Sequence, residues 1–217
     1  NVDAAIDLLR HILTIQPDAV EARYQLAETY ELLGDAASAL RESQAVAAQA
    51  PEQPQIGRKL ILDQCLADGD DGSRVAEAAK AWHRRFAAPL RPARPSFTND
   101  PDAERPLRVG FIGGGQLRAH TLSRVLLPII AAHDSSRFKL YAYSDLERAR
   151  EDQVSAAYKA HVTWQDTGAL SDEALAERIR QDRIDVLIDP VAFVPGTRFL
   201  ALARRPAPIQ ISFPTMT

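Results

Sequence analysis

Through roughly the first ninety residues, apolar positions recur at the three- and four-residue spacing of amphipathic helices. Helical patterns fill residues 1–50, then about 55–67 and 73–87. Five prolines between Pro89 and Pro106 exclude regular helix and central strand there. From Leu107 the pattern alternates. Short apolar runs at 107–113, 138–144, 161–167, 184–190 and 207–213 predict strands, separated by helical patterns over about 121–132, 148–160, 171–183 and 197–203. Ser171 is a candidate helix cap, with Asp172 and Glu173 suited to the positive helix start. The stretch "IDVLIDP" is almost wholly apolar, as in a strand buried on both faces. Five strands with helical connections predict an α/β doubly wound parallel sheet behind an all-helical first part. The implied organisation is helices over 1–88, a Pro-rich linker over 89–106 and a Rossmann-like lobe over 107–217.

The helical part carries an internal echo. Pro17 and Pro51 lie 34 residues apart, the tetratricopeptide period. Between them Leu26, Ala27 and Tyr30 share one helix face, Gly34-Asp35 supplies a turn, and Ala39 is the small residue where two helices approach closely. Arg23 occupies the tryptophan-like position of the repeat. Ala5 precedes Ala39 by the same 34 residues, so the chain is expected to open on the second helix of an earlier repeat. A solenoid generally needs three or more units, so these repeats continue upstream or lean on the neighbouring C-terminal helices. Trp82, Phe86 and the 75–79 stretch are expected to dock the last helices onto the next domain.

Composition narrows the functional classes. The balance of 46% apolar and 25% charged residues is that of a globular protein. A net charge of -3, from 26 basic and 29 acidic residues, gives no nucleic-acid-sized positive surface. No apolar run approaches the ~20 residues of a membrane span, and no export signal opens the chain, so a cytoplasmic protein is expected. Cys65 is the chain's one cysteine; it is read as a core residue rather than a nucleophile. No Cys/His cluster has metal-ligand spacing, and no metal or bound cofactor is expected. His83, His133 and His161 read as surface residues.

The candidate chemistry lies in "LRVGFIGGGQLRAHTLSRVLLPII". A glycine run between a strand and a helix can present backbone N–H groups to an anion, or can be a tight turn needing positive φ. The glycine spacing is not the dinucleotide fingerprint. Ligands of doubly wound sheets sit beyond the carboxyl ends of the strands, where loops at 113–120, 144–145, 166–167, 189–196 and 213–217 should gather. His120 stands at the mouth of the following helix on that edge. Its imidazole can take a proton from a hydroxyl or hydrogen-bond a phosphate, or it can be a helix cap.

The segments "RPLRVGFIGGGQLRAHTLSRVLLPIIAAHDSSRFKLYAYS", "WQDTGALSDEALAERIRQDRIDVLIDPVAFVPGTR" and, most specifically, "RRPAPIQ" resemble the first catalytic lobe of tetratricopeptide-containing protein O-GlcNAc transferases, including SPINDLY-like members. These are GT-B enzymes of glycosyltransferase family 41. The resemblance runs from about Trp82 to Thr217. It implies an inverting, metal-independent transfer of a sugar from a UDP-GlcNAc-like nucleotide sugar to Ser or Thr of a protein acceptor held along the repeats. It makes His120 an active-site residue and places Gly113, Gly114, Gly115, Gln116, Phe193, Val194, Pro195 and Gly196 in donor- or acceptor-site loops. No nucleic acid or membrane partner is implied. Two departures stand out: "GGGQLRA" replaces the family's serine-proline-aspartate-phenylalanine turn, and Ala192-Phe193-Val194 replaces its glycine–aromatic or histidine–threonine step. The second lobe, which carries most donor contacts in the family, is not in this sequence, so the chain alone is expected to be inactive. The alternatives are a protein-binding repeat module fused to a degenerate lobe, and an unrelated nucleotide enzyme on the same sheet.

Overall fold

The computed structural model describes residues 2–67, 72–102, 104–191 and 196–212. The chain divides between Pro89 and Leu90 into two compact units. Among its described residues the first holds five α-helices, α1 (Val2–Ile15), α2 (Val20–Leu32), α3 (Ala36–Gln49), α4 (Pro54–Leu66) and α5 (Ser73–Trp82), followed by a π-helical turn at His83–Ala87. Leu26, Ala27, Tyr30 and Ala39 are all buried, which is the face the repeat spacing requires. Gly34 adopts φ +76, and Asp35 then caps α3 by accepting from the Ser38 N–H at 3.0 Å. Arg23 bonds Glu42 at 2.9 Å and the Pro17 carbonyl at 3.0 Å, an ionic tie where the repeat usually places an aromatic.

Polar groups also enter this helical core. The Lys59 ammonium, 1% exposed, contacts both Asp63 oxygens at 2.6 and 2.7 Å and Glu31 at 2.8 Å. Asp63, fully buried, also accepts from the Ser43 hydroxyl. Lys59 and Asp63 of α4 thus tie it to α2 through Glu31 and to α3 through Ser43. One sequence expectation changes in this unit. Cys65 is exposed rather than core, because the buried positions of α4 end at Asp63 and Cys65 follows in its last turn. Trp82 donates from Nε1 to the Pro54 carbonyl at 2.8 Å and tilts against Phe86, so this pair packs on α4 within the helical unit.

Among its described residues the second unit forms a five-stranded, all-parallel sheet in the order β3-β2-β1-β4-β5. Its strands are β1 (Leu107–Gly114), β2 (Phe138–Ser144), β3 (Thr163–Asp166), β4 (Val186–Asp189) and β5 (Ile209–Ser212). Helices α6 (Ser123–Ala131) and α7 (Gln153–Lys159) pack on one face, where Val109, Phe111, Leu126, Ile130, Leu140 and Tyr158 form a core. Helices α8 (Asp172–Gln181) and α9 (Phe199–Ala203) belong with the opposite core of Ile112, Tyr143, Leu175, Ile179 and Leu187. Period-two alternation in β1 and β2 feeds both faces. Ser171 caps α8 by accepting from the Ala174 N–H. The single helix expected over 148–160 is divided: a 3-10 turn at Arg148–Arg150 gives way to extended backbone. Asp152 then caps α7 through bonds from the Val154 and Ser155 amides, both 2.9 Å. Local capping overrides the continuous helical periodicity there.

Candidate functional site

The chain runs outward from β1 through β2 to β3, then crosses back through α8 to place β4 on the other side of β1, so the crevice between the ends of β1 and β4 is the topological switch point of the sheet. The glycine run lies there. The β1–β2 register slips between Ile112 and Gly114, which makes Gly113 an extra residue at the strand end. Gly114 turns at φ +49, and a Cβ placed on it would come 3.1 Å from the Gly196 carbonyl oxygen. The turns after β1 and β4 therefore touch backbone to backbone. Gly115 faces open space, and the Gln116 N–H donates back to the Gly113 carbonyl at 3.0 Å. Leu117, fully buried, fills the space beside Gly113, where a Cβ would stand 2.2 Å from its Cγ. Phe193, Val194 and Pro195 lie outside the described residues.

Loops after β2 and β3 close on this edge. Asp145 donates its N–H to the Gly114 carbonyl at 2.8 Å, and Thr167 donates its hydroxyl to the Asp145 carboxylate at 2.7 Å. Arg198 binds these loops together. Its guanidinium contacts Asp145 at 3.0 Å, Asp172 at 3.1 Å, and the carbonyls of Thr167 and Leu170 at 2.9 and 2.7 Å. Burial pushes the Asp172 carboxyl above the ordinary range, with the Arg198 charge acting against the shift. No spacing rule flags Arg198, since its four partners come from two separate segments, one after β2 and one running from β3 into the start of α8.

His120 is exposed, as expected for a rim residue, but it faces a different recess. A cleft of about 540 Å³ is lined by Ala119, His120, Thr121, Ser123, Arg124, Leu127 and Val154, between the start of α6 and that of α7. None of Gly113, Gly114, Gly115, Gln116 or Gly196 lines it. Asp152 holds the His120 loop in place by accepting from the Ala119 N–H at 2.7 Å. That bond comes first, with the Ser155 and Val154 amides beside it, in keeping the carboxyl below its ordinary range. The Leu122 N–H approaches His120 Nδ1 at 3.3 Å. With Nδ1 accepting, a neutral ring carries its proton on Nε2, which presents a hydrogen-bond donor. The loops thus converge on the carboxyl edge as two neighbouring features, a glycine crevice and a histidine cleft.

Among the described residues, no group of three or more His, Cys, Asp or Glu side chains is arranged to hold a metal, and no helix is long and apolar enough to cross a membrane.

Known proteins resemble this chain in both its helical and its α/β parts. A tetratricopeptide repeat family model matches residues 1–60. The "Probable UDP-N-acetylglucosamine--peptide N-acetylglucosaminyltransferase SPINDLY" of Oryza sativa subsp. japonica is 26% identical over 168 residues, covering 75% of this chain and 18% of that protein. Its namesake from Eustoma exaltatum subsp. russellianum is 28% identical over the same length. The SEC protein of Arabidopsis thaliana, given the same enzymatic name, is 26% identical over 107 residues. An O-GlcNAc transferase variant of Thermobaculum terrenum superposes with a TM-score of 0.91 at 30% identity, covering 98% of this chain and 40% of that one. The chain spans under a fifth of the curated relatives' length, 18% in the rice protein.

Proposed function

From a chain that is tetratricopeptide-containing and O-GlcNAc-transferase-like, we propose that the intact natural protein transfers a sugar from a nucleotide-sugar donor to Ser or Thr hydroxyls of a protein acceptor. The supporting observation is the convergence of Gly114, Asp145, Thr167, Gly196 and Arg198 at the switch point of a lobe that superposes on a solved O-GlcNAc transferase. In this reading the acceptor oxygen attacks the anomeric carbon as the bond to the diphosphate breaks, with inversion and without a metal. The chain contributes the acceptor-side wall. Its His120 Nε2–H holds a substrate oxygen, and as a base the ring must first release the long bond from Leu122. The turns at Gly113–Gln116 and Gly196 bring backbone close to the reacting groups. The repeats hold the acceptor in extended form, by shape and backbone contacts. The donor is a GlcNAc-bearing or closely related nucleotide sugar, and the compartment is the cytoplasm.

The test is incubation of the intact protein with a panel of nucleotide sugars and its own cell extract, followed by mass analysis of modified proteins. Transfer of one sugar to Ser or Thr is expected, with His120→Ala slowing it about 100-fold or more. Consumption of no donor would reject the reading. A second reading, a protein-binding module with a non-catalytic lobe, draws on Leu117, whose buried side chain occupies the space beside Gly113. Stable co-purification of a partner without sugar transfer would favour it.

A further inference from the structure

The cleft beside His120 has a chemistry that the transfer reaction leaves unassigned. Its floor is Leu127 and Val154, both partly buried against the α6/α7 core. Its walls carry one imidazole, one exposed Thr121 hydroxyl and the exposed guanidinium of Arg124. At about 540 Å³ it falls within the range of small-ligand and side-chain pockets.

Charge decides what such a recess accepts. Arg124 sits in the first turn of α6, where the backbone N–H groups are already bonded to His120, Thr121 and Leu122, so its guanidinium is the positive group that the cleft wall offers. The acids of the facing element are turned to other partners and none lines the cleft, although Asp152 keeps its charge. The Asp152 carboxylate accepts three backbone amides, from Ala119, Val154 and Ser155, at 2.7 to 2.9 Å. Glu151 is paired with Lys159 at 2.7 Å. Gln153 and Val154, which open α7, carry no charge. Asp166 is drawn toward Arg148 and the Trp164 indole. The cleft therefore has a cationic wall, an apolar floor and no carboxylate lining it.

We propose that this cleft is a specificity pocket for an acidic side chain of the bound polypeptide. In it the methylene stem of a Glu lies on Leu127 and Val154, and its carboxylate reaches Arg124. Because His120 forms the adjoining wall, the pocket sets which hydroxyl is presented: one with an acidic residue a short distance along the same chain. The identification of that polypeptide as the sugar acceptor rests on the function proposed above. The binding preference itself does not.

The test separates the two. Fluorescein-labelled Ser-containing decapeptides that differ only in Glu, Gln or Lys at one scanned position are titrated against the intact natural protein without any sugar donor. At the best position the Glu peptide is expected to bind about tenfold tighter than the Gln peptide, and the difference should shrink as salt rises. Arg124→Glu should invert the order and favour Lys. Arg124→Gln should remove the preference, and the exposure of Arg124 lets both variants keep the wild-type melting temperature. Absence of peptide binding, equal binding of Glu and Gln peptides, or an unchanged order in Arg124→Glu would overturn the proposal. So would an Arg124→Glu effect confined to the KM of a nucleotide sugar, since it would assign the anion to the donor. Failure of every nucleotide sugar to react would reject the transferase reading alone, leaving the titration to decide the pocket.

Discussion

Single side chains at the carboxyl edge show how closely the glycine turn is built. Gly113 has no space for another atom: a Cβ there would lie 2.2, 2.4 and 2.8 Å from three carbons of Leu117, itself fully buried. Relief would require moving a core side chain that packs with Phe111, Leu126 and Tyr158. Gly113→Ala is therefore expected to destabilise the α/β unit by about 2 kcal/mol, the usual scale of overpacking, as read by denaturant unfolding. Gly115, whose Cβ would meet nothing within 4 Å, should tolerate the same change. The glycine run announces a turn in the sequence. It does not announce that Leu117 fills one side of it, because that contact depends on the bulge at Gly113.

At the scale of elements, the helices of the first unit are joined by charge as well as by apolar faces. Lys59 and Asp63 are spaced i,i+4 on α4, a pairing that in sequence reads as a solvated helix surface. Folding buries both, with Glu31 of α2 and Ser43 of α3 completing the network. Removing one partner leaves the other charged in an apolar setting. Lys59→Met is expected to cost about 3–5 kcal/mol in urea unfolding, and adding Asp63→Leu should recover more than half of the loss. Recovery of none would show that the network contributes more than mutual neutralisation. The repeat itself was legible at this scale, since Leu26, Ala27, Tyr30 and Ala39 report one face at the expected spacing and all four are buried. The break at Asp152 was not, because a capping carboxylate outcompeted an uninterrupted helical pattern.

At the scale of the whole molecule, the Pro-rich stretch belongs with the second unit, which begins at Leu90. Asp185, at the start of β4, anchors it. Its carboxylate accepts from Asn99 and from two Arg105 nitrogens, each at 2.7 Å, and from the Arg108 N–H at 2.8 Å. Burial alone would raise this carboxyl; the bonds from Arg105, Arg108 and Asn99 outweigh it and hold the group below its ordinary range. A carboxyl lowered by folding stabilises fully above the ordinary carboxylate range and loses that contribution as pH falls toward the folded value. The stability gap between wild type and Asp185→Asn is therefore expected to be largest near neutrality and to close in acid, as measured by urea unfolding across pH. A gap independent of pH would remove Asp185 from the acid sensitivity of the fold. Local patterns in the sequence determined the helical repeat, the parallel sheet, the glycine turn and His120 at the mouth of its helix, because periodicity, caps and turn residues act between near neighbours. Tertiary structure alone decided that Arg198 joins the segments after β2 and β3, that Lys59 is buried, and that His120 shares a cleft with Arg124 and Val154 instead of with the glycines. Those arrangements bring together residues far apart in the chain, and their energies arise from desolvation and packing that no linear spacing encodes.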